Sequence, residues 1–251
     1  MAANKAGRLR VLLAVGALVS CVVAFDVGAG TTQTDGVSLV EAEGAPASDA
    51  PAKVGALFSN DLDGGHFCTA SVVHSEGRNL IVTAAHCLGD GEGVVFAPGY
   101  HDGEAPYGTW KLDKVFQDAT WTDDDQESED ADVAFATLAP KDGKEIEDVT
   151  GATTLDASGR TGDKVTVTGY PSSEDAPRTC TNTAGKHSGT QQRIDCPDFA
   201  TGTSGSPWIA KDGKLVGILG GYQGGGDEDD VSYSIVLGKL TADLYKKATS
   251  S

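Results

Sequence analysis

Three short segments carry side chains that could do chemistry together. Thr83-Ala84-Ala85-His86-Cys87 follows the apolar run Leu80 to Val82, and Asp132-Val133-Ala134-Phe135 places an acid at the head of a hydrophobic strand. Gly202-Thr203-Ser204-Gly205-Ser206-Pro207 holds a serine in a tight glycine loop. A serine hydroxyl is a poor nucleophile at neutral pH and needs a base to take its proton. An imidazole suits that role because its ordinary pKa lies near ~6.5. A buried carboxylate must then hold it in one tautomer by accepting the other N–H. Glycines around the serine let two backbone N–H groups, those of Gly202 and Ser204, point at one spot and stabilise the oxyanion formed during attack on a carbonyl. His86, Asp132 and Ser204 therefore read as base, orienting acid and nucleophile. Asp130 competes with Asp132, which is preferred because a strand follows it at once. Ser206 competes with Ser204, which alone lies between Gly202 and Gly205.

Positions so far apart along the chain need a scaffold that brings them together. Short β-like runs between turn signals begin at Val54. They fall near 54–58, 68–73, 79–83, 94–96, 109–116 and 132–138, then near 165–169, 178–181, 207–210, 215–219 and 232–236. The polar stretch Ala139 to Gly162 divides the two sets, and Lys239 to Lys247 reads as a helix with Leu240 and Leu244 on one face. Strands without helical crossovers argue against a parallel α/β sheet. The expectation is an all-β chain of two packed antiparallel barrels, with one long sandwich as the alternative. The domains would be a first barrel over 54–150, a second over 151–237, and a C-terminal helix and tail over 238–251. No internal repeat is visible. The 251 residues carry a net charge of −18 and 33 glycines. That acidic balance speaks against a nucleic-acid partner, and the glycines follow no collagen period.

Lys5, Arg8 and Arg10 precede an uncharged run from Val11 to Phe25 that is short for a membrane span. This pattern fits a secretory signal peptide over 1–29, cut after Ala29. The alternative is a lipoprotein box at Leu18-Val19-Ser20-Cys21, with the lipid on Cys21. Residues 30–53 read as a flexible leader or propeptide. The expected location is extracellular, with no membrane association after signal removal, and the chain is expected to be a monomer. Four cysteines then remain, Cys68, Cys87, Cys180 and Cys196, with three possible pairings. Export favours disulfides, and pairing sequence neighbours gives Cys68–Cys87 and Cys180–Cys196, each worth about 3 kcal/mol in the chain-entropy model. No CxxC or HxxxH spacing supports zinc, so no metal or cofactor is expected.

Taken in order, these motifs make the sequence similar to the chymotrypsin-like (trypsin-fold) serine proteases, in particular the secreted bacterial branch near the glutamyl endopeptidases. The resemblance covers roughly Val54 to Leu244. It rests on the order His86, Asp132, Ser204, on the disulfide beside the histidine, and on Gly169-Tyr170-Pro171. It implies two antiparallel six-stranded β-barrels packed face to face, with His86 and Asp132 from the first and Ser204 from the second. It also implies hydrolysis of peptide bonds in protein or peptide substrates through an acyl-enzyme.

The departures are informative. Thr203 stands where the animal enzymes carry an acid that pairs with the new N-terminus, so propeptide removal would act by another route. Leu219-Gly220-Gly221 replaces the Ser-Trp-Gly of the cleft strand, and Gly220 and Gly221 are expected to line the substrate pocket. Asp198, six residues before Ser204, occupies the offset at which trypsin-like enzymes select Arg or Lys, although a purely structural role is the alternative. Leu219 stands about where the glutamyl branch uses a histidine, which argues against Glu specificity. His66, His74, His101 and His187 lie in polar or turn-like surroundings and are expected to do nothing chemical. The acidic stretches Asp123 to Asp130 and Asp227 to Asp230 read as solvated loops, with calcium binding as the minor alternative. Two rival functions are a non-catalytic binding protein on the same scaffold and an exported serine esterase.

Overall fold

From Val54 onward, runs of Val, Ile, Leu and Phe alternate with turns bearing Gly and Asp, and these runs become strands. The computed structural model describes residues 45–46, 51–122 and 126–250, all within one compact unit, Glu41–Ser251. Its strands are β1 Ala45–Pro46, β2 Val54–Ser59, β3 His66–Val73, β4 Leu80–Thr83, β5 Val94–Pro98, β6 Trp110–Gln117, β7 Ala134–Leu138 and β8 Thr154–Leu155. They continue with β9 Lys164–Gly169, β10 Arg178–Thr183, β11 Gly185–Lys186, β12 Gln191–Asp195, β13 Pro207–Ala210, β14 Lys214–Ile218 and β15 Val231–Ile235. Two helices, α1 Ile146–Thr150 and α2 Lys239–Thr249, complete the order. The proposed signal peptide and Cys21, most of the leader, and Asp123 to Asp125 lie outside the described residues. Among the described residues no helix is long and apolar enough to cross a membrane.

The first lobe is a closed barrel in the order β2-β3-β4-β7-β6-β5. Leu57, Val72, Ile81, Phe96, Trp110 and Leu138 fill it and are at most 2% exposed. Each large apolar side chain so buried contributes on the order of 1.5–3 kcal/mol relative to exposure. A second apolar cluster joins Leu80, Val82, Val133 and Phe135 of this lobe to Leu215, Ile218 and Ile235 of the next. The α2 residues Leu244 and Ala248, one turn apart on one face, close it.

The second lobe is built from two sheets. It comprises a six-stranded sheet in the order β1-β10-β9-β13-β14-β8 and a three-stranded sheet β11-β12-β15. An isolated antiparallel bridge, Leu219 to Ser234, and the Gly220 N–H to Tyr233 carbonyl bond of 3.0 Å join them past the end of β14, and side chains bridge the rest of the seams. Ser234 Oγ accepts from the Ile218 N–H at 2.9 Å, and Gln192 Nε2 donates to the Val216 carbonyl at 3.2 Å. Across the other seam Asn182 Nδ2 donates to the Asp195 carbonyl at 2.8 Å, next to the Cys180–Cys196 disulfide. β12 escapes sequence reading because Gln191-Gln192-Arg193-Ile194-Asp195 has no run of apolar residues, yet Gln191 and Gln192 are buried with their amides hydrogen-bonded. The stretch from Ala139 to Gly162 is not a bare divider. It contains α1, capped by the Glu145/Asp148 box and anchored by fully buried Ile146.

Candidate active site

His86 belongs to a 3₁₀ turn, Ala85–Cys87, directly after β4. The fully buried Ala84 and Ala85 seat the turn on the barrel, and the Cys68–Cys87 disulfide ties it to β3. Asp132 follows the 3₁₀ turn Gln126–Ala131 and precedes β7, and it is 1% exposed. A buried carboxylate needs hydrogen-bond donors, and Asp132 has three. Its Oδ1 accepts from the His86 backbone N–H at 3.1 Å, while Oδ2 lies 2.8 Å from His86 Nδ1 and accepts from the Gly221 N–H at 2.7 Å. A carboxylate that accepts fixes the proton on Nδ1 and leaves Nε2 as the free basic nitrogen. Nε2 has no partner among the described residues, and the imidazole is 27% exposed. Asp130 is exposed and meets Gln191, so it does not compete for the imidazole.

Backbone bonds shape the serine loop. The N–H groups of Thr203, Gly205 and Ser206 donate to Ala200, Leu219 and Thr203 carbonyls at 3.2, 2.7 and 3.0 Å. Those of Gly202 and Ser204 have no partner among the described residues and are available to a developing anion. Gly205 has φ +84°, and a Cβ there would lie 2.0 Å from the Thr69 carbonyl oxygen. Only glycine fits that conformation and that gap. Ser206 Oγ is fully buried and donates to the Thr203 carbonyl at 2.6 Å, whereas Ser204 is partly exposed. The Thr203 hydroxyl turns inward and donates to the Ala200 carbonyl at 2.8 Å.

Thr69 of β3 stitches the loop to the barrel. Its N–H donates to the Ser204 carbonyl at 2.7 Å, its Oγ1 donates to the Gly202 carbonyl at 3.1 Å, and that oxygen accepts from the Tyr170 N–H at 2.9 Å. Nothing in the sequence singles out Thr69 beyond its place after Cys68. The Cys68–Cys87 bridge and Thr69 thus bring the His86 turn and the Ser204 loop against neighbouring residues of one strand. The two cysteine sulfurs and His86 lie within 4.8 Å of one another. Because the sulfurs are bonded to each other, they offer no thiolate to a metal.

A cavity of about 310 Å³ opens beside Ser204, lined by Phe199, Thr203, Leu219, Gly225, Asp227 and Asp229 among others. Three residues expected at the substrate pocket are not on the lining of this cavity. Asp198 does not line it: its backbone has φ +63°, and its 62% exposed side chain points to Arg178, 3.5 Å away. Gly220 and Gly221 do not line it either. A Cβ on Gly220 would lie 2.8 Å from Asp132 Oδ2, so this glycine admits the carboxylate, and Gly221 donates to it. The acids at the cavity are Asp227 and Asp229, which the sequence reading left as a solvated loop.

The histidines also separate. His74 and His187 are exposed. His66 opens β3 in the core, 6% exposed, with Nε2 2.9 Å from the Pro171 carbonyl. Burial, more than any neighbouring charge, pushes its pKa below the ordinary histidine value.

Comparison with known proteins is consistent with this geometry. Residues 68–218 match the family model described as trypsin-like peptidase domain, more than half of the chain. No curated protein sequence matches significantly. Among solved structures, the protease Anisep from Arthrobacter nicotinovorans superposes with TM-score 0.69 at 25% identity, covering 80% of this chain and 98% of that one. The thermostable serine protease AL20 from an extremophilic microorganism gives TM-score 0.68 at 27% identity, covering 80% and 98%. A Glu endopeptidase in complex with MPD shares the fold, with TM-score 0.64 at 15% identity over 80% and 92%. The chain belongs to the trypsin-like peptidase domain family and is a serine-type endopeptidase.

Proposed function

We propose that this protein is an exported endopeptidase that cleaves peptide bonds through an acyl-enzyme, with Ser204 as nucleophile, His86 as base and then acid, and Asp132 orienting His86. The supporting observation is the Asp132 Oδ2–His86 Nδ1 contact of 2.8 Å, which leaves Nε2 of the partly exposed imidazole without a partner among the described residues. In the first step Ser204 Oγ bonds to the substrate carbonyl carbon as its proton passes to Nε2. The resulting oxyanion is held by the N–H groups of Gly202 and Ser204. Collapse breaks the C–N bond, with the amine leaving on the proton from Nε2. Water then repeats the cycle and releases the acid. Hydrogen bonds of this kind tighten only when substrate is bound, so a free Nε2 in the unliganded site is compatible with the relay.

The substrate preference we propose is for Arg or Lys, with Asp227 and Asp229 in place of Asp198 as the source of negative charge. Both line the cavity beside Ser204, and neither makes an ion pair among the described residues. Export is supported by the two disulfides, which persist outside the cytosol.

A fluorophosphonate probe followed by a peptide-library digest tests both parts. Wild type should label and cut after basic residues, while Ser204→Ala should do neither. Asp227→Asn and Asp229→Asn should each lower kcat/KM for basic peptides about fivefold, the size expected for a partly exposed charge pair. Labelling that survives in Ser204→Ala would remove the mechanism. A binding protein would not label, and an esterase would turn over simple esters but not peptides.

A further inference from the structure

Three consecutive backbone amides of the second lobe hold the loop that carries Asp132, two of them directly and one through Gln191. The Gly221 N–H donates to Asp132 Oδ2 at 2.7 Å, the Tyr222 N–H to Gln191 Oε1 at 3.3 Å, and the Gln223 N–H to Glu129 Oε1 at 2.9 Å. Gly221 and Gln223 adopt φ of 78° and 53°. Left-handed residues in such a run turn successive N–H groups into one concave, anion-seeking surface. Gln191 stands at its centre. It is 4% exposed, and the other end of its amide, Nε2, donates to Asp130 Oδ1 at 2.8 Å and to the Glu129 carbonyl at 3.3 Å. Only this orientation of the amide satisfies both sides, because a flipped one would set NH₂ against the Tyr222 N–H.

We propose that Gln191 is a positioning residue for the reaction, fastening the Glu129–Asp132 loop of the first lobe to the Gly221–Gln223 amides of the second. This rests on the reading of Asp132 as the residue that orients His86. The acids at 129, 130 and 132 repel one another. Gln191 supplies neutral donors to two of these residues while accepting from the segment that holds the third. Without it, Asp130 and the Glu129 carbonyl lose a donor and the Tyr222 N–H loses its acceptor at the position of a buried side chain, the loop relaxes, and Asp132 shifts against Nδ1. Gln191 does not line the cavity beside Ser204. Its loss should therefore act on turnover and leave substrate binding alone.

The test compares kcat and KM for a short peptide amide, normalised to the fraction of protein titrated by an active-site acylating probe. Gln191→Leu, of similar volume, should lower kcat about 10-fold or more with KM within about twofold, the scale expected when a reacting group is misplaced by a fraction of an ångström to an ångström. The pair Gln191→Glu with Asp130→Asn exchanges donor and acceptor between the two side chains and should recover most of kcat relative to Gln191→Glu alone. Should Gln191→Leu not fold, Glu129→Ala removes the bond from Gln223 on the exposed side and should lower kcat a few-fold with KM unchanged. An unchanged kcat in a folded Gln191→Leu, a rise in KM alone, or no rescue by the pair would overturn the proposal. Ser204→Ala in the same assay keeps the two readings apart. If it remains active, the triad reading has failed. If it is inactive while Gln191→Leu behaves as wild type, only the positioning role has failed.

Discussion

His86 and Asp132 are held by side chains: a buried carboxylate, an imidazole and a disulfide, on a barrel whose strands close on themselves. Ser204 is held by backbone: its carbonyl accepts from Thr69, and its neighbours Thr203, Gly205 and Ser206 donate to carbonyls, leaving two amides spare. On the proposed mechanism, the difference follows from what each half must do. The imidazole half must keep one tautomer and one ring orientation, which requires a charged side chain with every donor satisfied. The serine half must present N–H groups to a charge that exists only during reaction, which requires a backbone conformation reachable only with glycine. One half should then break by changes of side-chain chemistry that preserve shape. The other should break by additions of volume that preserve chemistry.

Asp132→Asn is the sharpest test of the first half. The substitution keeps the shape but puts an NH₂ where an acceptor is needed: at the Oδ2 position it deprives both the His86 Nδ1–H and the Gly221 N–H, and at the Oδ1 position it deprives the His86 backbone N–H. The expected result is a fall of about 10⁴-fold in kcat with the fold retained, because the imidazole takes the wrong tautomer. Circular dichroism and disulfide content should match wild type. Activity within about tenfold of wild type would mean that Asp132 is a structural acid and that the two halves do not differ in this way.

Gly205→Ala tests the second half, with a smaller effect in energy. One methyl group would meet the Thr69 carbonyl oxygen and the Thr83 hydroxyl, both about 2 Å away, at a φ that L residues avoid. The loop must move, and with it the amides of Gly202 and Ser204. A cost of roughly 3 kcal/mol in unfolding free energy is expected, in the range for strain at a special backbone position. Denaturant titration measures it. A variant as stable as wild type would show that the loop is looser than its contacts imply.

The sequence carries the first half more legibly than the second. His86 and Asp132 adjoin apolar strands whose inward residues reveal themselves as Val, Ile, Leu and Phe, and the Cys87 bridge marks the turn. The disulfide pairing follows from the short separations alone. The serine is also legible, because its glycines have few other uses at that spacing. What surrounds it is not. Thr69 acts through its backbone N–H and a hydroxyl, features that many threonines share. Gln191 lies in a strand whose two glutamines are buried by hydrogen bonds to neighbouring segments, which an apolar periodicity cannot detect. Asp198 shows what an offset counted along the chain omits, since its left-handed backbone and exposed side chain set it beside Arg178 and off the lining of the cavity next to Ser204. Asp227 and Asp229 are exposed, as a solvated loop requires, and what a run of acids in a glycine-rich loop does not reveal is that the fold sets it at the edge of a cavity.

The smallest expected effect concerns the junction between the halves, where His66 meets the Tyr170-Pro171-Ser172 segment. Its Nε2–H donates to the Pro171 carbonyl, and the rings of Phe58, Tyr100 and Tyr170 surround it with centroids 5.6 to 6.0 Å away. Burial favours the neutral ring and outweighs the opposing pull of Asp175 and of the Pro171 bond, so the folded pKa lies below the unfolded one. Between those two values the unfolded chain binds the extra proton. The stability contributed by neutral His66 is therefore complete above the unfolded pKa of about 6.5 and is lost as pH falls through the folded value. His66→Gln keeps a donor for Pro171 but does not titrate. Its Tm should fall less than that of wild type between pH 8 and pH 5, by a few degrees, because about 1 kcal/mol moves Tm by roughly 2–4 °C in a chain of this size. Other acid-sensitive groups, such as Asp156 with its pKa held down to about 2 by Ser158 and Arg160, are common to both proteins and cancel in the difference. Parallel melting curves for the two proteins across that pH range would mean that the junction tolerates a charged ring, and that the lobes are joined there by packing and not by the tautomer of one histidine.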